Sequence, residues 1–133
     1  MYQFFLQGTI RHCIKNLMKS KKMNIDFSYS GTSVSSLNIK DRKLYLLLSN
    51  ALENAFVHCD DRKTVRFEVG FVEPYCRFVI TNTISNSIVQ TKDENHGYGL
   101  PSMKAIVDEV NGILTTEVSE DKYTCILLIP IGG

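Results

Sequence analysis

The sequence has no excess of charge of either sign, few prolines and no long apolar run, and each shortage closes off a class of protein. Fifteen basic against fourteen acidic side chains give a formal charge of +1. A dedicated nucleic-acid binder or a protein held on an anionic membrane surface carries a marked basic excess, so neither partner is expected. Only three prolines, with 44% apolar residues, exclude collagen-like and low-complexity disordered chains. The longest apolar stretches, such as Cys125 to Ile131, fall far short of the roughly 20 residues of a membrane-spanning helix. Cys13, Cys59, Cys76 and Cys125 are widely separated, with no CxxC pair and no histidine at ligand spacing. Neither a zinc site nor a disulfide framework is indicated, and a reducing cytoplasm suits them. The opening MYQFFLQGTIRHC lacks the charged and apolar regions of a secretory signal, which leaves open a soluble portion of a longer membrane protein.

A chain of 133 residues is the length of one globular domain with one core. Phe5, Ile10, Ile14, Leu17 and Met18 recur at roughly helical spacing and predict an amphipathic helix from Tyr2 to about Lys22. Asn24 to Ser30 alternates Ile25, Phe27 and Tyr29 with polar residues, the period of a strand, and a loop containing GTSVSS follows. Asp41 is the expected N-cap of a helix to about Cys59, whose broad face is Leu44, Leu47, Leu48, Ala51, Leu52 and Ala55. Thr64–Val72 and Tyr75–Thr81, separated by Glu73-Pro74, read as a hairpin. Asn82 to Asn95 is polar and aperiodic, a long loop of the kind that carries function. A helix introduced by His96-Gly97-Tyr98-Gly99-Leu100-Pro101 should end at Asn111-Gly112, followed by a hairpin of Ile113–Val118 and Tyr123–Ile129. Hairpin-joined strands with helices gathered on one face predict a two-layer α/β sandwich with a mixed, mainly antiparallel sheet.

Within the strongest helix, Asn50, Glu53 and Asn54 stand at i, i+3 and i+4 in the otherwise apolar LLLSNALENAF. They are either a polar edge that meets solvent or a hard-cation site, since amide and carboxylate oxygens suit magnesium shared with phosphate oxygens. Gly97 and Gly99, one residue apart at a helix start, would let backbone N–H groups approach a phosphate at the positive end of the dipole, although such loops also occur as plain turns. No GxxxxGK[ST] loop is present, and no strand leads into a GxGxxG helix start, so P-loop and Rossmann sites lack their required parts.

Taken in order and spacing, SNALENA, a hairpin ending ITN, a polar loop, HGYGL and a last hairpin ending LLIP resemble the ATP-binding domain of the gyrase and histidine-kinase superfamily. The likeness runs from about Asn24 to Pro130 and is greatest to sensor histidine kinases that detect peptide pheromones. It implies a Bergerat-type fold, with ATP and Mg2+ held between the helices beneath a loop called the ATP lid, here Thr83 to Asn95. By position, Asn54 matches the magnesium-binding asparagine, Asn50 the residue one turn earlier facing the phosphates, and Glu53 the adjoining acid; Asn50 and Glu53 are thereby the candidate catalytic side chains. His96, Gly97, Tyr98, Gly99 and Leu100 match the glycine box around the nucleotide. Asn82 stands where many relatives carry the aspartate that accepts from the adenine amino group, and the DxGxG box of those relatives is missing. Val57 replaces a lysine common three residues after the magnesium-binding asparagine. Thr124 matches a position that sometimes supports the adenine pocket, and a strand-forming role is its alternative.

The resemblance further implies a cytoplasmic protein-histidine kinase of a two-component system, a transferase passing the γ-phosphoryl group of ATP to a histidine on a separate helical domain, with a response regulator downstream. Residues 1–23 would then be a helical leader, the tail of the acceptor hairpin, and residues 24–133 the ATP-binding domain. Arg11-His12-Cys13-Ile14-Lys15-Asn16 faintly resembles a phosphoacceptor box, with cysteine in place of its acid; a plain surface histidine is the simpler reading of His12. Two other readings fit less of the sequence: a stand-alone serine kinase of the anti-sigma-factor class, and a degenerate ATP domain retained for binding a partner.

Overall fold

The computed structural model describes residues 2–3, 26–31, 36–59, 64–84 and 100–131. In chain order these form β1 (Tyr2–Gln3), β2 (Asp26–Gly31), β3 (Ser36–Leu37), α1 (Asp41–His58), β4 (Thr64–Val72), β5 (Tyr75–Thr83), α2 (Leu100–Glu109), β6 (Ile113–Ser119) and β7 (Lys122–Pro130). Five strands make one sheet in the order β2-β4-β5-β7-β6. The β2–β4 pair is parallel, with α1 in the connection, and the other pairs are antiparallel. Both helices pack on one face of this sheet, which makes a two-layer α/β sandwich with a mixed, mainly antiparallel sheet.

Period explains both layers. On α1, Leu44, Leu47, Leu48, Ala51, Leu52, Ala55 and Phe56 follow one another at helical spacing, and all are buried. They meet Val65, Phe67 and Val69 of β4, Cys76, Phe78 and Ile80 of β5, and Cys125, Leu127 and Ile129 of β7, every second residue of each strand. Phe67 and Phe78 meet edge to face, with ring centroids 6.3 Å apart. From α2, Leu100, Met103, Ile106 and Val107 complete the core. An exposed ion pair, Lys43 to Glu109, joins the two helices at the surface.

Three local expectations are corrected. Lys40 caps α1, with extended backbone and no side-chain capping bond, and Asp41 is the first helical residue. Ile39, buried in the core just before the helix, fixes where the chain enters it, and this anchoring overrides the preference for an aspartate cap. Tyr2 and Gln3 form a strand paired antiparallel with Ser36 and Leu37 rather than starting a helix, a pairing that no local period reveals. Gly31 and Ser36, read as loop, are strand residues. The remainder of the leading helix, the RHCIKN segment with His12, most of the lid and the glycine box from His96 to Gly99 lie outside the described residues.

The end of α2 is defined to the atom. Gly112 N–H donates to the Val107 carbonyl at 2.8 Å and Asn111 N–H to the Asp108 carbonyl at 3.1 Å, with Asn111 left-handed at φ 62°. These are the two bonds of a Schellman motif. A Cβ on Gly112 would stand 2.5 Å from the Leu128 carbonyl oxygen, so the helix end and β7 approach too closely for any side chain. Gly112→Ala is expected to destabilise the fold by about 1–3 kcal/mol through overpacking, read as a lower urea midpoint with unchanged m. At the far end of α1, burial holds His58 below its ordinary value of 6.5, so protonation favours the unfolded chain. Its contribution is therefore complete above pH 6.5 and lost as pH falls further; urea midpoints at pH 7.5 and 5.5 should differ less in His58→Gln than in the wild type.

Candidate functional site

At one end of the sandwich the two layers part. Ala51, Asn54 and Ala55 of α1, Ile80 and Asn82 of β5, Tyr123 and Cys125 of β7 and Leu100 at the start of α2 line a small, partly open cleft of about 10 Å3, room for one water. Two small residues on the helix face, Ala51 and Ala55, leave it, while Leu52 and Phe56 beside them turn into the core. Leu44, Leu47 and Leu48 fill the space above the sheet, whereas Ala51 and Ala55 one and two turns later cannot reach across. Ile80 faces Cys125 and Asn82 faces Tyr123 in the β5–β7 register, so two cross-strand pairs form the floor.

Asn82 is the exceptional group. Its side chain belongs to the core row of β5, two residues beyond Ile80, and it is only 2% exposed. The amide Nδ2 donates to the carbonyl of Thr83 at 3.3 Å, and among the described residues Oδ1 has no hydrogen-bond partner. A buried acceptor without a donor costs about 1–3 kcal/mol. The bond to Thr83 fixes which end of the amide is free, so the cleft presents an acceptor. Just beyond, Thr83 Oγ1 accepts from Thr64 N–H at 3.4 Å, and Ile84 N–H donates to the Asp121 carbonyl at 2.8 Å.

Of the other residues singled out by sequence, Asn54 and Leu100 line the cleft. Asn50 is half-buried one turn before Asn54, and Glu53 is exposed beside it; neither reaches the cleft wall. Thr124 takes the strand-forming role rather than a place in the pocket. Strand side chains alternate, so with Tyr123 and Cys125 in the cleft Thr124 stands on the opposite face, where its hydroxyl lies 3.5 Å from that of Thr81. The pocket-lining residues of β7 are its neighbours, and the inward set Cys125, Leu127 and Ile129 extrapolates to Tyr123 by period alone. His96, Gly97, Tyr98 and Gly99 lie outside the described residues.

Among the described residues no group of three or more His, Cys, Asp or Glu side chains could hold a metal by itself. Asn54, with Glu53 adjoining, offers the sparse oxygen donors that suit magnesium taking most of its ligands from water and phosphate. Burial pushes the Cys76 and Cys125 thiols up to about 12, so both stay protonated and inert at neutral pH.

The family described as "GHKL domain" matches residues 37–130. No curated protein matches the chain significantly. Among solved structures, the catalytic domain of the histidine kinase ThkA superposes with a TM-score of 0.79 at 21% identity, covering 98% of this chain and 95% of that one. The mycobacterial sensor histidine kinase MprB gives 0.77 at 16% identity, covering 95% of each chain. Acinetobacter baumannii histidine kinase AdeS gives 0.81 at 14%, covering 99% of this chain and 68% of that one. At these identities the likeness is one of fold.

Cys59, half-buried at the end of α1, is more accessible than Cys76 and Cys125. Alkylation of the native chain at pH 8 followed by peptide mapping should therefore label Cys59 well before either buried thiol. Equal labelling of Cys125 would contradict a closed cleft floor.

Proposed function

The chain belongs to the GHKL-domain family, and from that premise we propose that it is the ATP- and Mg2+-binding catalytic domain of a two-component sensor histidine kinase. The observation that carries this reading is Asn82 Oδ1, buried in a cleft whose lining is apolar apart from Asn54, Asn82 and Tyr123, and without a hydrogen-bond partner among the described residues. A 6-amino purine supplies the missing donor and an aromatic surface for Ile80, Ala51, Ala55 and Leu100. A 6-oxo purine sets an acceptor against an acceptor, so adenine is preferred to guanine.

In this reading Asn54 supplies an amide oxygen to the cation, and Asn50, one turn earlier on α1, faces the phosphates. Bound magnesium would neutralise phosphate charge and hold the γ-phosphoryl group in line. In this reading Gly97 and Gly99 offer backbone N–H groups to the same phosphates, His96, Tyr98 and Leu100 flank them, and the segment 85–95 closes over the nucleotide. The acceptor histidine comes from a separate helical domain: its imidazole nitrogen forms the bond to the γ-phosphorus as the bond to the ADP oxygen breaks. In the same reading Glu53, exposed beside Asn54, takes the proton the imidazole loses. The peptide-pheromone-sensing type, a downstream response regulator and a cytoplasmic setting complete the proposal, on the strength of the motif order NALEN, ITN and HGYGL.

Asn82→Leu separates function from stability. Replacing the orphaned amide by an apolar group of similar shape should leave the urea midpoint unchanged or raised while lowering Mg-ATP affinity by ten-fold or more, about 1.4 kcal/mol. Asn54→Ala should weaken binding only when magnesium is present. Wild-type Mg-ATP affinity in both folded variants, by calorimetry, would overturn the site.

A further inference from the structure

We infer that Tyr123 contacts the nucleotide, its ring forming the wall against which the purine lies; the inference rests on the ATP reading above. The register places Asn82, Tyr123 and Val118 in one row across β5, β7 and β6, all on the face that carries the helices. The row runs from buried to open: Asn82 is 2% exposed and Val118 45%, with Tyr123 half-buried between them and packed against the core. Directly opposed residues in an antiparallel pair have Cβ atoms about 4.5–5.5 Å apart, which brings the Tyr123 side chain within reach of a base hydrogen-bonded to Asn82. The other lining residues are two alanines, an isoleucine, a leucine, a cysteine and two asparagines. Tyr123 is thus the aromatic face that the described cleft offers to a base.

The chemistry suits the position. A tyrosine ring gives a large, stiff contact area with few rotatable bonds, and aromatic stacking is available to any purine face. Asn82 then selects the amino group, and Tyr123 supplies affinity and orientation. The side chain lies two residues from the Glu120-Asp121 turn, whose Asp121 carbonyl holds Ile84, so it stands at the root of the segment that leads toward the glycine box.

The chain contains six tyrosines and no tryptophan, so its own emission reports on tyrosine alone. The full chain is titrated with Mg-ATP by calorimetry and by tyrosine fluorescence, in the wild type, Tyr123→Phe and Tyr123→Ser. The Phe variant keeps the ring and should bind within about two-fold of wild type, with a smaller ATP-induced change in tyrosine emission. The Ser variant, with an unchanged circular dichroism spectrum, should bind roughly ten-fold more weakly. An undiminished emission change in the Phe variant, or wild-type affinity in the Ser variant, overturns the role of Tyr123 and leaves the ATP reading standing. A wild-type chain that binds no Mg-ATP overturns both.

Discussion

The contact between the apolar face of α1 and the inner rows of β4, β5 and β7 sets almost everything else in the molecule. Where that face carries leucine and phenylalanine, helix and sheet close into a core. Where it carries Ala51 and Ala55, the same two elements, still held at the same separation, leave a cleft. Core and site are therefore neighbouring strips of one interface, with Leu52 and Phe56 in the core beside the two alanines, and the bulk of the core strip keeps the alanine strip open. Because packed interiors do not tolerate voids within them, such a space persists only at an end of the sandwich where it opens to solvent.

The polar groups follow the same geometry. Asn82 occupies what the strand period makes a core position, and its burial is imposed by Ile80, Phe78 and Cys76 before it in the row. Among the described residues its Oδ1 finds no donor, and unsatisfied groups of this kind gather where ligands bind. Asn54 occupies the analogous place on the helix, one residue before Ala55. Two asparagines, from two layers, thus face one small volume, while Asn50 and Glu53 remain on the helix flank facing outward.

How much of this is legible in the sequence depends on whether a local period or a distant partner decides. The leucines of α1, the alternation in β4 and the Asn111-Gly112 stop all announce themselves, and so does the α/β sandwich; Asn82, whose polar neighbours read as the start of a loop, instead continues β5 to Thr83 and is buried, because pairing with Tyr123 and Lys122 of β7 carries the strand past Thr81. The β1–β3 pair does not, because two-residue strands separated by more than thirty positions carry no pattern of their own. The cap of α1 was hidden for a related reason: Ile39 is held by the core, and the backbone follows it. Thr124 shows how sharply the strand period cuts. One step along β7 separates a residue in the cleft from one on the opposite face of the sheet, and motif likeness without register cannot resolve that step.

The two feet of the segment from 85 to 99 are both fixed to the frame. Ile84 is buried and tied to Asp121, and Leu100 is seated in the wall of the cleft, on a helix whose far end is clamped against β7 at Gly112. The frame thus holds both anchors without help from the residues that join them. Since closing a chain over a given span costs only about 0.6 kcal/mol more per doubling of its length, the sheet, the helices and the distance from Ile84 to Leu100 do not depend on how many residues make the connection.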